Sequence, residues 1–327
     1  MSATPADIEH AAAVLQAGGV VAFPTETVYG LGADASNAQA IAKIYALKGR
    51  PSTHPVIVHV ARRNQMHDWA SEVPPIAVEL AERFWPGPLT LILRRASHVL
   101  DAVTGGQDTV AIRVPSHPVA HALLERFNGG VVAPSANRFG RVSATSAAHV
   151  RSEFGQSLDM LLDGGECSIG IESTIVDVSG PQPLLLRPGG VAIAALETAL
   201  GKALGRPDAA APRAPGTLAA HYAPTTPLML AAPDLVSELV RTLARQETKL
   251  AVLSFTALRP LVPGLVWLAA PADPAGYAHV LYANLRELDA AGAGLIIVER
   301  PPERPEWLAV LDRLTRAAAG SGAGEAP

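Results

Sequence analysis

Apolar and polar positions along this chain repeat with two periods, and each change of period marks an element. After Thr4 and Pro5, a capping residue followed by a first-turn proline, apolar residues recur at helical spacing up to Gly18-Gly19, which predicts a helix. Residues 20–23 form an apolar run that reads as a strand. Ser36 or Asn37 caps a second helix whose Ile41, Ile44, Tyr45 and Leu47 share one face, and it stops at "KGRPSTHP". The same reading gives a strand at 56–60, a helix near 76–84, strands in "PLTLILRR" and "DTVAIRVP", a helix near 119–127 and a short strand "VVAP". A helix over 144–154, strands in "MLLD", "STIVDV" and "PLLLRPG", and a helix from Val191 follow.

Strands and helices alternate, but some strands are sequence neighbours, so the expected fold class is α/β with a mixed sheet. From Gly205 the pattern lapses. "GRPDAAAPRAPGTLAAHYAPTTP" is rich in Pro, Ala and Thr without a period, and residues 206–227 read as a linker. Beyond it come a strand "LMLAA", a helix over 235–245, strands "LAVLSF" and "VWLAA", a helix over 277–290, a strand "GLIIVE" and a helix over 307–318. The expected division is therefore a larger α/β domain over 1–205, the linker, a smaller α/β domain over 228–318, and a disordered tail over 319–327.

Composition fits this picture and removes some alternatives. A length of 327 residues suits two domains, and 49% hydrophobic against 17% charged residues supplies a core for each. A net charge of −4 argues against a surface that grips nucleic acid throughout. Cys167 is the sole cysteine, which excludes an intramolecular disulfide and a cysteine-based zinc site. The N-terminus lacks a basic region before its apolar stretch, and no apolar run is long enough for a bilayer, so a soluble cytoplasmic protein is expected.

The chemistry-bearing residues gather just beyond strand ends. In "FPTETVYGLGADA" a buried strand is followed by Thr25, Glu26, Thr27 and Tyr29, more hydroxyls and charge than a turn requires. Lys48 and Arg50 follow a helix end, where helix capping accounts for Lys48, Gly49 and Pro51 but not for Arg50. In an extended segment the two cations would face one polyanion, with Lys48 as an exposed phosphate contact. Subtracting Lys43, Lys48, Lys202 and Lys249 from 26 Lys+Arg leaves 22 arginines, so a lysine at position 48 is itself notable. His59 in "VIVHV" is either a core residue or, if Val56, Val58 and Val60 face inward, a cleft residue beside Ile57. Arg113 in "TVAIRVP", in phase with Thr109 and Ala111, is either salt-bridged or a clamp for a substrate carboxylate or phosphate. "APSANRFGRVS", "GIESTIVD" and "LLLRPGG" repeat the device with Ser135, Asn137, Ser173 and Arg187, where N-caps and Asx turns are the plainer reading. No P-loop, dinucleotide fingerprint or H-E-x-x-H motif is present. The pattern points to a small polar substrate beside phosphates, with catalysis by positioning and charge neutralisation rather than a covalent nucleophile.

Taken in order, "FPTETVYGLGADA", "KGRP", "PVIVHV", "FWPGPLTLIL", "TVAIRVPSHP", "APSANRFGR", "GIESTIVD" and "LLRPG" resemble the YrdC-like threonylcarbamoyl-AMP synthases, over most of residues 5–200. "YANLRELDAAGAGLIIVERPP" and "AVLDRLTRAA" are similar to the C-terminal domain of that family's long form. The resemblance implies a YrdC-like twisted mixed sheet followed by a Rossmann-like α/β domain. It implies synthesis of L-threonylcarbamoyl-AMP and pyrophosphate from ATP, L-threonine and bicarbonate, for threonylcarbamoyladenosine on tRNA. Transfer to tRNA falls to separate partner proteins, so tRNA is met only indirectly. Thr27, His59, Arg113 and Ser173 would bind threonine. Lys48, Arg50, His54, Thr109, Ser135, Asn137, Ser143, Arg187 and Tyr222 would contact ATP, with Lys48 and Arg50 catalytic. Thr25 and Glu26 would stand behind them or on the magnesium side, and the linker's "HYAP" would cover the cleft. Magnesium is expected with ATP, held by its phosphates, and neither zinc nor an organic cofactor is. His54 stands where many relatives carry Asn, and "PPERPEWLAVLDRL" lacks the usual glycine-rich turn. The rival reading is an RNA-binding or ribosome-maturation protein with a basic concave face, which the net charge and an aromatic fraction of 5% weaken.

Overall fold

The computed structural model describes residues 3–245, 248–322 and 324–325. They form two compact units. The first is the chain up to Phe139 together with Ala144–Thr217, and the second is Gly140–Ser143 with the chain from Leu218 onward.

The first unit runs α1 (Pro5–Gln16), β1 (Val21–Phe23), β2 (Gly30–Asp34), α2 (Ala38–Lys48), β3 (Ile57–His59), α3 (Met66–Trp69), α4 (Pro75–Phe84), β4 (Leu89–Arg94) and α5 (Asp101–Thr104). It continues through β5 (Thr109–Arg113), α6 (Pro118–Phe127), β6 (Val131–Val132), α7 (Ala147–Phe154), β7 (Met160–Leu161), β8 (Thr174–Asp177), β9 (Leu184–Arg187) and α8 (Ile193–Leu200). The strands make one mixed sheet in the order β7-β1-β2-β6-β3-β5-β4-β8-β9. Thr4 opens α1 through a capping box with Asp7, and Asn37 rather than Ser36 caps α2. β2 is a strand that the sequence pattern leaves unassigned, because Gly30 and Gly32 disfavour strands. Gly32 is needed there, since a Cβ would lie 2.7 Å from the Phe23 ring.

Val56, Val58 and Val60 enter the main core with Val110 and Ile112, under Ile44, Leu80 and their neighbours. The opposite face of the same strands carries a smaller cluster of Ile57, Ile92, Ala111, Ile175 and Leu186, joined by Ala214. The sheet thus has a thick apolar side and a side left for polar groups at its margins. A register in which Ile57 pairs Ala111 and His59 pairs Arg113 puts His59 and Arg113 on that second side.

The second unit comprises β10 (Leu228–Ala231), α9 (Val236–Ala244), β11 (Leu250–Ser254), β12 (Val266–Ala269), α10 (Pro274–Ala290), β13 (Leu295–Glu299), α11 (Leu308–Ser321) and β14 (Gly324–Glu325). Its sheet is parallel, in the order β12-β11-β13-β10-β14. The buried Glu299 carboxylate accepts from Ser254 Oγ at 2.5 Å and from the N–H groups of Phe255, Thr256 and Ala257, which fixes the loop after β11. The expected disordered tail over 319–327 is corrected in part. α11 continues to Ser321, whose hydroxyl bonds the Leu228 and Ala318 backbone, and β14 pairs with β10. Residues 323, 326 and 327 of that tail lie outside the described residues.

Candidate active site

The predicted residues of the first unit separate into two sets at opposite ends of the second sheet face. One end is where β3 and β5 finish and β4 and β8 begin. Arg113 lies there, 3% exposed. Its Nη2 donates to Glu26 Oε1 at 2.6 Å, Nη1 to Thr27 Oγ1 at 2.9 Å, and Nε to the Gly87 carbonyl at 3.2 Å. Three of its five N–H donors are thereby taken, and two remain. The salt-bridge reading of Arg113 is therefore correct as far as Glu26 goes, and it leaves donors for a further anion. Glu26 Oε2 accepts from the Ser116 N–H at 3.0 Å. Burial works against the Glu26 charge, but Arg113 and the backbone donors outweigh it and hold its carboxyl below the usual range.

His59 lies beside Arg113, edge-on to Phe23, and its buried Nδ1 has no hydrogen-bond partner among the described residues. Burial, then the Arg113 charge, pushes its pKa down to about 3, so the ring is neutral at physiological pH. Ser173 completes this end. Its Oγ lies 2.8 Å from Thr90 Oγ1 and accepts from Arg187 Nη2 at 3.2 Å, and its carbonyl accepts from Arg187 Nε and Nη2. Arg187, predicted for ATP, thus sits with the residues predicted for threonine. Gly189 permits this arrangement, because a Cβ there would lie 2.3 Å from the Glu172 carbonyl oxygen and 2.5 Å from Ser173 and Thr174 backbone atoms.

The other end lies beyond the start of β3, about 13 Å away at 3.3 Å per strand residue. Lys48 is the last residue of α2, Gly49 caps the helix at φ +63°, and Arg50 follows. The capping reading holds for Gly49, and the extended segment assumed for Lys48 and Arg50 does not form. Lys48 is also buried, at 3% exposure, rather than exposed as expected. Its Nζ donates to the Ser135 and Asn137 carbonyls at 2.5 Å each, which draws the loop after β6 onto the end of α2. Burial, then the neighbouring Arg50 charge, holds the Lys48 pKa well below its ordinary value. Arg50 Nη2 donates to the Pro55 carbonyl at 2.6 Å. His54 packs edge-on against Phe139, and burial, then Arg50 and Arg213, lowers its pKa. Thr109 opens β5 on the same side, half-buried.

Residues 206–217, half of the predicted linker, belong to the first unit. Arg187 Nη1 donates to the Pro215 carbonyl at 2.8 Å, Arg213 exchanges backbone bonds with the Gln107 side chain, and Ala214 is buried against Ile57 and Ala111. This segment closes the middle of the face, between the two sets. Ser143 and Tyr222 belong to the second unit. The Ser143 carbonyl accepts from Arg286 Nε, and the Tyr222 ring stacks on Tyr282 with the Arg313 guanidinium 5.2 Å from its centre.

Thr90 and Gln107 were missed. A lone hydroxyl inside "PLTLIL" was the available signal for Thr90; nothing local marked Gln107. Among the described residues no three His, Cys, Asp or Glu side chains come together to hold a metal ion, and no helix is long and apolar enough to cross a membrane.

The chain is similar to known proteins along nearly its whole length. Residues 13–189 match the Sua5, yciO and yrdC family, described as "Telomere recombination", and residues 191–319 match "Threonylcarbamoyl-AMP synthase, C-terminal domain". The chain is 38% identical over 325 residues to the threonylcarbamoyl-AMP synthase of Pyrococcus abyssi, covering 95% of this chain and 93% of that one. It is 39% identical over 331 residues to the Bacillus subtilis protein of the same name, covering 98% and 95%. The crystal structure of P. abyssi Sua5 complexed with L-threonine superposes with a TM-score of 0.90 at 35% identity, over 99% of this chain and 97% of that one.

Proposed function

We propose, for a chain that belongs to the Sua5–YciO–YrdC family in its two-domain form, the synthesis of L-threonylcarbamoyl-AMP from ATP, L-threonine and bicarbonate. It is an enzyme of the nucleotidyltransferase type. The observation that carries the reading is the separation of two polar sets across one sheet face, with Lys48, Arg50, Arg113 and Arg187 each at most 8% exposed. One set suits a small amino acid and the other a polyphosphate.

The threonine amine adds to the bicarbonate carbon with loss of water and forms a carbamate. A carbamate oxygen attacks the α-phosphorus of ATP, and the bond to the bridging oxygen breaks, so pyrophosphate leaves. No protein nucleophile takes part, and the work is positioning, neutralisation and exclusion of water from a labile anhydride. Arg113 offers its two spare N–H donors to the threonine carboxylate, while Thr27, neutral His59 and Ser173 surround the amine and hydroxyl. Lys48 has a third N–H beyond its two carbonyls, and with Arg50 it meets the triphosphate. Thr109, Ser135, Asn137 and His54 frame the nucleotide, and Arg187, bonded to Ser173 at the amino-acid end, meets it from that side. Ser143 and Tyr222 enter the same proposal from the sequence resemblance alone.

Magnesium enters with ATP, held by its phosphates. Glu26 is poorly suited to hold it, because Arg113 and the Ser116 N–H occupy its two oxygens. The product passes to separate proteins that modify tRNA, in the cytoplasm. The rival RNA-binding reading needs exposed cations, and the four here are buried. The test is pyrophosphate release from ATP and magnesium. Release that requires both L-threonine and bicarbonate supports the reading, and release indifferent to either refutes it.

A further inference from the structure

Two hydroxyls beside the buried arginines are built alike but differ in one bond. Arg113 Nη1 donates to Thr27 Oγ1, which lies 2.8 Å from Thr25 Oγ1. Arg187 Nη2 donates to Ser173 Oγ, which lies 2.8 Å from Thr90 Oγ1. A hydroxyl has one proton to give. Thr25 gives its proton to the Val28 carbonyl at 2.6 Å, and a carbonyl returns none. The Thr25 oxygen therefore accepts from the Thr27 hydroxyl with one lone pair, and the Thr27 and Val28 N–H groups, each at the longer distance of 3.2 Å, share the other. Thr27 has then spent its proton on Thr25 and one lone pair on Arg113. A single acceptor lone pair is left. Among the described residues no carbonyl fixes the Thr90 proton, so the Ser173 hydroxyl keeps both polarities.

We infer that Thr25, which itself meets no substrate, is a positioning residue that makes Thr27 an acceptor-only hydroxyl, so that the amino acid must present an N–H or O–H donor to it. This rests on the reading of Thr27 as a threonine contact. Thr25→Val keeps the shape and removes the oxygen, which frees the Thr27 proton to turn against the substrate's donor. Thr25→Ser keeps the oxygen. Thr90→Val removes an equally buried hydroxyl without reversing a fixed polarity.

The experiment is calorimetric binding of L-threonine and of ATP to the full chain and these three variants. Thr25→Val is expected to weaken threonine at least about tenfold, the effect of one mispaired buried hydrogen bond. Its ATP affinity stays within about twofold, and Thr25→Ser and Thr90→Val hold threonine within about threefold, the scale of a few tenths of a bond. Unchanged threonine affinity in Thr25→Val overturns the inference. So does parallel loss of ATP and threonine, a Thr25→Ser as weak as Thr25→Val, or a Thr90→Val as weak. A wild-type chain that binds ATP but no threonine overturns the pocket assignment as well, and is told apart because no variant is needed to see it.

Discussion

Removing the Glu26 carboxylate leaves the Arg113 guanidinium charged, buried and short of its ion-pair partner. The two side chains are 6% and 4% exposed and 2.6 Å apart, so solvent cannot make up the loss. Breaking a buried pair from one side costs about 3–5 kcal/mol, well above the contribution of exposed pairs. Glu26 also bonds the Ser116 N–H, so Glu26→Ala orphans that donor too. For a unit of roughly 200 residues, the expected fall in melting temperature is about 6–20 °C. Thermal unfolding followed through Trp69 and Trp85, both in the first unit, reads it. Glu9→Ala, which removes the partner of exposed Arg126, is the control and should leave the midpoint in place. A double change, Glu26→Ala with Arg113→Met, should destabilise less than the two single changes added, because no unpaired charge stays buried. Since the Glu26 carboxyl is depressed in the folded state, its contribution is present above the ordinary carboxylate range and lost as pH falls through the folded value. The gap between wild type and Glu26→Ala should therefore close in acid. A midpoint shift no larger than that of Glu9→Ala would refute the reasoning.

Three further expectations follow from the same geometry. Lys48→Met should lower turnover about 10²–10³-fold, the scale for losing one preorganised charge donor, and Lys48→Arg should not restore it, because the site is closed by two carbonyls 2.5 Å from Nζ; near-normal turnover of Lys48→Met would end the phosphate assignment. Gly189→Ala should cost about 1–3 kcal/mol in urea unfolding and raise the KM for threonine, since its Cβ meets backbone at 2.3 Å beside Ser173; unchanged values of both would contradict the close packing. His59, with a folded pKa of about 3 against an ordinary 6.5, stabilises the fold above pH 6.5 and loses that contribution as pH falls toward 3, so His59→Asn should flatten the stability profile across that range. An unaltered profile would mean that His59 is solvated.

The strand alternation in "PVIVHV" offered the arrangement found, Val56 and Val58 in the core and His59 opposite, because period-two burial is a local property, but it left a core His59 equally open. The helix ends at Thr4, Asn37 and Gly49 were legible for the same reason. The partner of Arg113 was not, since Glu26 lies 87 residues away and any of 30 acidic residues was eligible before folding. Lys48 looked exposed because its acceptors are backbone carbonyls of Ser135 and Asn137, which carry no signature in sequence. β2 was hidden by Gly30 and Gly32, and the close approach of the Phe23 ring that requires Gly32 exists only in the fold. Residues 206–217 read as linker because their hold on the first unit comes from one small residue, Ala214, and from main-chain bonds to Gln107 and Arg187.

The most direct test of the central claim is incubation of the full chain with labelled bicarbonate, L-threonine, ATP and magnesium, with the products separated at once. The account predicts one adenine-containing product that carries the bicarbonate label, formed in step with pyrophosphate and absent without threonine. Pyrophosphate accompanied only by unlabelled AMP would contradict it.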